Sequence, residues 1–537
     1  MNTHNGRIGS GGLCLLAALA YIPHAAASSC GAASGEELQQ PPMVNPGSSS
    51  LAVELEATTV NRCIGGNTVE LKSYIDASTD ADDIRPVGPA YVMYLNPSQL
   101  VAATLEIEFE NNLAASNPAA DCSHHGNDVE VCTNLHTHGF HVSPKQPADD
   151  VLMKLKPGDD FEYTYELPQE HAPGTHWLHA HLHGSTAPQL REGMAGALIL
   201  QGDTDAWLAL QHSISFANGN DKIMILQQLE KDGAQLCETG TQTSINGQCA
   251  PTITVKEGEV QRWRLIHAGI SASLNVSLIT ATNEQVSFYE FARDGINLGS
   301  ARQENHLLMY PGYRSDVLVQ IPHIHDACGG LKTGEPCELF LLDQETANRF
   351  SLRGEGDEPE HVIARVIIES GEAGSDSLPP LDDSHFAKPY PEIEDSELVG
   401  EEVEIRFGNL TNPSGGTFKT VNGDVFPEGP SIDLTLEQAQ TWKVWVDEDQ
   451  GESTASHPFH IHVNPFEVIV RDTANEIVDR YWRDTMIISG EDNKGASNAV
   501  ELRSRYERFD GDYVLHCHNL DHEDAGMMKL VKMSPSE

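Results

Sequence analysis

The stretch His516-Cys517-His518-Asn519-Leu520-Asp521-His522-Glu523-Asp524-Ala525-Gly526-Met527, near the carboxyl end, organises this chain. The apolar run at 513–515 predicts that the first three of these residues lie on a strand. Side chains alternate along a strand, so Cys517 should face one way and His516 and His518 the other, which lets one strand serve two metal centres. A thiolate, an imidazole and a weak thioether make up most of a blue-copper ligand set, which needs one further histidine.

Three further clusters, each with accompanying motif residues, contain histidines two residues apart, the spacing that places both imidazoles on one face of a strand. Imidazole is a good ligand for copper. One such pair means little, but four pairs with an intervening cysteine and a well-placed methionine are not expected by chance. The three clusters are His136-Thr137-His138, His176-Trp177-Leu178-His179-Ala180-His181-Leu182-His183 and His457-Pro458-Phe459-His460-Ile461-His462.

Charge is the most lopsided property of the 537 residues, since 33 Lys and Arg stand against 80 Asp and Glu and the formal net charge is −47. Such a surface repels nucleic acid and anionic membranes, so we expect neither as a partner. No segment beyond residue 29 approaches the roughly 18 consecutive apolar residues of a membrane span, so we expect no membrane insertion.

Residues 1–29 have the pattern of a secretory signal peptide, with Arg7 ahead of a short apolar run at 13–22. We therefore expect export, to the periplasm or the extracellular medium. Eight of the ten cysteines remain when Cys14 and Cys517 are set aside, and an even number in an exported chain predicts disulfides. Lipidation of the first of the eight stays an alternative. Spacing favours the local pairs Cys122–Cys132, Cys237–Cys249 and Cys328–Cys337, which leaves Cys30–Cys63 as the fourth.

Short runs of alternating apolar and polar residues recur along the chain and predict half-buried strands, while only 185–190 and 205–212 predict short helices. The fold class is therefore all-β, and the length suggests about three domains. Polar stretches at 202–205 and 370–395 suggest the boundaries. The predicted division is a signal peptide 1–29, a first domain 31–204, a second domain 205–375, a linker 376–389 and a third domain 390–537.

The order and content of the histidine motifs resemble those of a three-domain multicopper oxidase of the bacterial laccase-like kind. The likeness covers nearly all of residues 50–535 and extends to segments without histidine ligands, Gly193–Gly196, Pro251–Ile266 and Pro311–Val317. It implies three cupredoxin-like Greek-key β-sandwich domains. It also implies a trinuclear copper centre between the first and third domains, with the second domain as a spacer that shapes the substrate cleft.

The resemblance implies four copper ions, one of type 1, one of type 2 and two of type 3, and assigns their ligands by position. The type 1 ligands would be His457, Cys517, His522 and the weak axial Met527, for which a moderate potential is expected. The type 2 ligands would be His136 and His460. The type 3 ligands would be His138, His179, His181, His462, His516 and His518. His176 and His183 are interpreted as supporting residues.

Dioxygen reduction consumes protons, so carboxylates should lie near the trinuclear centre. Glu523, directly after His522, matches a family position implicated in proton delivery. Asp149, or its neighbour Asp150, follows the first histidine pair at about the family interval and would orient the type 2 water.

The resemblance implies a copper-dependent oxidoreductase that couples one-electron oxidation of phenolic or aromatic substrates to four-electron reduction of dioxygen to water. The alternative is a metallo-oxidase of Cu(I), Fe(II) or Mn(II) in metal homeostasis. Only 11 methionines occur and no Met-rich insert precedes the third domain, which weakens the Cu(I) interpretation. A scaffold protein that has lost copper is disfavoured because no expected ligand is missing. We expect a monomer.

Overall fold

Strands dominate the computed structural model of the chain, and most of them form three successive pairs of sheets. The predicted all-β, cupredoxin-like fold class is confirmed. The predicted signal peptide and Cys30 lie outside the described residues. The described residues are 35–45, 47–76, 78, 87–95, 103–114, 122, 129–237, 242–329, 336–346, 352, 360–369, 377–411, 417–447 and 455–536.

The first pair of sheets packs around an apolar core that alternating strands supply. In Ala103–Asn112, for example, Leu105, Ile107 and Phe109 are buried between exposed glutamates, as the period of two predicts. One sheet has the order Met43–Val44, Ala90–Tyr94, Ala195–Gln201, Gly174–His179, His136–His138. The other has the order Asn67–Asp76, Ser50–Ile64, Ala103–Asn112, Asp160–Leu167.

The second pair of sheets contains no predicted copper ligand. Its central strand, Val260–His267, is buried along its whole length. Its larger sheet has the order Gln248–Cys249, Ser244–Ile245, Asp221–Gln227, Val260–His267, Arg314–Gln320, Phe288–Arg293, Ile296–Glu304. The other has the order Thr252–Lys256, His361–Glu369, Cys337–Asp343, Leu274–Thr280, Gln285–Val286, with Leu307–Met309 beside Leu274–Thr280. A separate ribbon joins Glu230–Lys231 and Ala234–Gln235.

The third pair carries the stretch that organises the sequence. One sheet has the order Thr417–Val421, Val403–Thr411, Ala439–Val446, Val500–Arg505, Phe466–Arg471, Ile477–Arg483. The other has the order Ile432–Thr435, Met528–Ser534, Gly511–Cys517, His457–Ile461, Thr485–Ile488. The predicted strand through Cys517 is therefore central in its sheet and directly beside the third histidine cluster.

Helices are few and short in the described part of the chain, and the two predicted ones are confirmed within two residues. None of the helices described is long and apolar enough to cross a membrane. The α-helices are Thr186–Arg191, Asp203–His212, Ile324–Cys328 and Leu520–Asp524. The 3₁₀ helices are Val129–Val131, Phe216–Asn218, Ser384–Phe386 and Ala496–Asn498.

Three of the four predicted disulfides are confirmed: Cys122–Cys132, Cys237–Cys249 and Cys328–Cys337. Cys63 is also disulfide-bonded, but its predicted partner is not among the described residues. The structure describes residues 377–389 of the predicted linker, and this segment packs against the body of the protein. Its Phe386 is fully buried against Leu208 and Phe291.

Candidate metal centres

Cys517 and two histidines meet on one face of the strand Gly511–Cys517. The Cys517 Sγ lies 3.5 Å from His457 Nδ1 and 3.8 Å from His522 Nδ1. The two Nδ1 atoms are 3.2 Å apart. Register places Phe459 opposite Cys517, so His457 arrives from the neighbouring strand two residues away. His457 is therefore the candidate for the further histidine that the stretch requires.

Burial sets the electrostatics of this site. It raises the pKa of the Cys517 thiol to about 12 and lowers the pKa of His457 to about 3, and the Lys419 ammonium reinforces the effect on His457. Two neutral imidazoles and a thiol that ionises only beside a positive charge are a donor set for a soft metal ion. Met527 is buried in the same core, and its carbonyl oxygen accepts a 3.0 Å hydrogen bond from the Cys517 amide.

Eight buried histidines gather on the opposite side of the Cys517 strand, as its alternation predicts. They come from the first and third pairs of sheets. His181 Nε2 lies 3.1 Å from His516 Nε2 and 3.2 Å from His462 Nε2, and His138 Nδ1 lies 3.2 Å from His518 Nε2. Groups of their ring nitrogens lie within 4.8 Å of one another, close enough to share a metal ion. The eight are His136, His138, His179, His181, His460, His462, His516 and His518.

Hydrogen bonds on the outer side of several rings fix which nitrogen points into the cluster. His136 Nδ1 lies 2.8 Å from Asp149 Oδ2, and His460 Nδ1 lies 2.8 Å from the carbonyl oxygen of Asp484. Burial lowers the pKa of every ring in the cluster, so the rings are neutral donors. Buried ring nitrogens without a partner fit metal ligation, because an unsatisfied buried polar atom is otherwise costly. Such atoms include Nε2 of His136, His179 and His460.

The two predicted acids occupy different positions around this cluster. Asp149 is buried and holds His136 through Oδ2, while its Oδ1 accepts a 2.9 Å hydrogen bond from the Thr137 amide. Burial raises the pKa of Asp149 to about 7. Through these two oxygens the carboxylate fixes the orientation of His136 relative to the backbone at Thr137. The alternative, Asp150, instead accepts from the Gln146 side chain at the surface.

Glu523 lies at the end of the helix Leu520–Asp524 with no exposed surface. Burial raises its pKa to about 7. Its Oε1 lies 3.6 Å from His183 Nδ1, and His183 is close enough to perturb His181 and His516 in the cluster. Glu523 and His183 therefore form a close pair near the histidine cluster. The other predicted supporting residue, His176, is buried beside the cluster against Phe140.

Two residues at these sites, Asp484 and Lys419, were not predicted from the sequence. Asp484 directly precedes the strand Thr485–Ile488, whose register pairs Thr485 with His460, and its Oδ1 is 3.3 Å from His138 Nε2. Lys419 lies on the strand Thr417–Val421, and its amide donates to the carbonyl oxygen of Ala525 next to the Cys517 site. Neither position has a local spacing signal, because each is set by the pairing of distant strands.

A buried thiol–imidazole site and an eight-histidine cluster, back to back on one strand, define a metalloprotein built from cupredoxin-like sandwiches. Residues 124–205 and 403–537 each match a family model described as Multicopper oxidase. The chain belongs to the multicopper oxidase family, and it is accordingly a copper protein and an oxidoreductase that uses oxygen.

Relatives in this family carry several names. Multicopper oxidase mco of Staphylococcus aureus is 25% identical over 421 residues, which cover 76% of this chain and 78% of the relative. A laccase of Bacillus subtilis is 20% identical over 481 residues, with 80% and 86% covered. The solved structure of a multicopper oxidase from Campylobacter jejuni, described as a metallo-oxidase, superposes with a TM-score of 0.68 at 21% identity and covers 94% of this chain and 96% of its own.

Proposed function

We propose that this protein is a laccase-like oxidase that removes single electrons from small phenolic or aromatic compounds at the Cys517 site and reduces dioxygen to water at the histidine cluster. Copper supplies one-electron transfer at the first site and the four-electron reduction of dioxygen at the second. The observation that carries the proposal is the segment 516–518 at the end of the strand Gly511–Cys517, whose adjacent residues face both sites. Export and a monomeric state are part of the proposal, the former supported by the signal-like start and the disulfides.

We assign the ligands as the resemblance implies, with four ions in all. His457, Cys517, His522 and the axial Met527 form the type 1 site, which the contacts of the first three around Sγ support. His136 and His460 form the type 2 site, because the Nε2 atom of each ring faces the cluster without a partner. The type 3 ligands fall into two groups of three, His138, His179, His518 and His181, His462, His516.

The protein's own groups then have defined tasks. His522 is partly exposed, and it is the proposed point of contact at which a reductant passes its electron to the type 1 site. From Cys517 the peptide chain leads covalently to His516 and His518, which lie among the type 3 ligands. Glu523 is the proposed proton donor, with His183 between it and the cluster. Asp149 holds His136 in the orientation that leaves Nε2 free.

Lys419 favours an organic substrate over a metal cation. In a chain with a net charge of −47, the type 1 site is flanked by an ammonium group that perturbs His457, Cys517 and His522. A positive charge there repels Cu(I), Fe(II) and Mn(II) but attracts phenolates and other anions. The metallo-oxidase alternative, which the Campylobacter jejuni structure raises, would need acidic groups that outweigh Lys419 where the reductant docks.

Oxygen uptake by the purified, copper-loaded protein tests the proposed substrate class. We expect rapid uptake with 2,6-dimethoxyphenol and slow uptake with Cu(I) or Fe(II) at matched concentration. A clear preference for a metal ion would reassign the protein to the metallo-oxidase function and make phenol oxidation a side activity.

Changing Lys419 to glutamate should lower kcat/KM for an anionic phenol such as sinapate by about tenfold, the lower end of electrostatic steering into a charged cleft. A neutral phenol should change little, and Fe(II) oxidation should rise. Lys532→Glu is the matched control, because it makes the same change of charge at an exposed position on the strand Met528–Ser534. Equal effects of both variants, or no effect of salt on the difference, would contradict a local role for Lys419.

Changing Asp149 to alanine should weaken copper binding at the type 2 site by about 10–100-fold, the usual cost of losing the residue that orients a metal-bound histidine. The type 1 absorption should be unchanged, because Cys517 lies on the other side of the strand. Copper content and the type 2 electron paramagnetic resonance (EPR) signal measure the effect. Asp150→Ala is the neighbouring control, and a type 2 signal retained in Asp149→Ala would show that His136 needs no such support.

A further inference from the structure

One buried guanidinium, that of Arg314, joins all three pairs of sheets. Its Nε donates to the carbonyl oxygen of Thr175 in the first pair at 3.2 Å. Its Nη1 and Nη2 donate to the carbonyl oxygens of Gly312 and Asp294 in the second pair, both at 2.9 Å. The same two nitrogens also donate to the Asp484 carboxylate of the third pair, Nη1 to Oδ1 at 2.9 Å and Nη2 to Oδ2 at 2.5 Å. All five donors are used, and Arg314 is 1% exposed.

Asp484 passes this constraint to two histidines of the cluster. Its carbonyl oxygen lies 2.8 Å from His460 Nδ1, which leaves His460 Nε2 facing inward without a partner. Its carboxylate Oδ1 lies 3.3 Å from His138 Nε2, so that His138 presents Nδ1 to the cluster, 3.2 Å from His518 Nε2. The Thr485 hydroxyl oxygen contacts the same two nitrogens, 3.1 Å from His460 Nδ1 and 3.3 Å from His138 Nε2. Asp484 and its neighbour Thr485 thus set which nitrogen each of the two rings offers to the cluster.

The grip on Asp484 depends on the shape of arginine. A guanidinium is a planar fork that binds both oxygens of a carboxylate while it donates elsewhere, whereas lysine offers a single point charge. The backbone is shaped around the fork as well. A Cβ on Gly139, the residue directly after His138, would lie 2.3 Å from Arg314 Nη2 and 2.9 Å from Asp484 Oδ2. A glycine at this position is therefore required for the close approach.

We propose that Arg314 is a positioning residue of the trinuclear centre, acting through Asp484 on His138 and His460. The inference rests on the proposed copper roles of these two histidines. It also changes the part played by the second pair of sheets, which the sequence predicted to be a spacer. That pair contributes no ligand, yet its Arg314 fixes the orientation of ligands from the first and third pairs.

The test compares two buried arginines changed in the same way, Arg314→Lys and Arg262→Lys. Arg262 is the matched control because it is also buried in the same pair of sheets and bridges Asp205 and Asp316, but it forms no hydrogen bond with a histidine in the described part of the chain. Both changes should lower thermal stability. Only Arg314→Lys should weaken type 2 copper binding, by about 10–100-fold, and alter the type 2 EPR signal, with type 1 absorption retained. Copper content, EPR and thermal unfolding are measured on each copper-loaded protein.

Two results would overturn the inference. One is an unchanged type 2 signal and copper content in Arg314→Lys, and the other is a parallel loss of copper in both variants. If Arg314→Lys does not accumulate as folded protein, Asp484→Asn tests the same link. It keeps the side-chain volume and the backbone carbonyl oxygen that faces His460, but it removes the negative charge and one of the two carboxylate oxygens that Arg314 binds. Normal trinuclear spectra in Asp484→Asn would equally refute it. Failure of the proposed copper sites is separable, because the wild-type protein would then lack the type 2 and type 3 signals. A preference for a metal ion over a phenol would reject the proposed substrate and leave this test unchanged.

Discussion

Replacing Cys517 with serine should abolish phenol oxidation while the copper at the histidine cluster remains bound. A serine hydroxyl does not ionise at neutral pH and is a hard, weak ligand, so the soft-metal site loses the donor that defines it. His457 and His522, with their Nδ1 atoms 3.2 Å apart, would be left with only the weak thioether of Met527. The eight histidines lie on the opposite face and keep their contacts, so the change should remove the type 1 site and leave the histidine cluster unaffected.

Three measurements check this result on one Cys517→Ser preparation. The visible type 1 absorption should vanish, oxygen uptake with 2,6-dimethoxyphenol should fall to background, and the type 2 EPR signal should persist. Thermal unfolding shows that the variant is folded, since Cys517 is fully buried in the core of the third pair of sheets. Retained uptake would mean that electrons enter the cluster without passing Cys517, and the proposed route would be wrong.

Local periodicity made the chemistry of this strand predictable. Alternation along 516–518 predicted two faces and two sites, and the geometry agrees because side-chain direction in a strand depends only on position. The short disulfides were predictable for the same reason, since pairs nine to twelve residues apart are formed within one hairpin or loop. In both cases the residues that interact or alternate are close together in the sequence, so their relation can be predicted from spacing alone.

Contacts set by strand register and by the packing of separate sheets left no such signal. Asp484 reaches the cluster only because Thr485 pairs with His460, and Arg314 reaches Asp484 only because three pairs of sheets meet there. Asp149 could be placed near the cluster but not distinguished from Asp150, since which of two adjacent acids turns inward depends on the loop. The proposed ligands were therefore predictable from the sequence, whereas most of the groups that orient them could be identified only from the structure.

Changing Glu523 to glutamine should lower kcat by about 10²–10⁴-fold, the usual contribution of a positioned general acid. Glutamine has nearly the same shape and can hydrogen-bond, but it cannot release a proton. Glu523 is fully buried, with His183 3.6 Å away between it and the cluster. A pKa raised to about 7 by burial suits a group that must both give up and regain protons near neutrality.

The defect should be confined to the half of the reaction that uses protons. In the absence of oxygen, 2,6-dimethoxyphenol should bleach the type 1 absorption of Glu523→Gln as fast as that of the wild-type protein, whereas reoxidation by dioxygen should be slow. Glu467→Gln is the control, because Glu467 is also fully buried in the third pair of sheets but binds the Ile393 amide instead of facing a histidine. If both variants slow reoxidation equally, or if bleaching itself is slow, Glu523 supports the fold or the type 1 site and the proton path lies elsewhere.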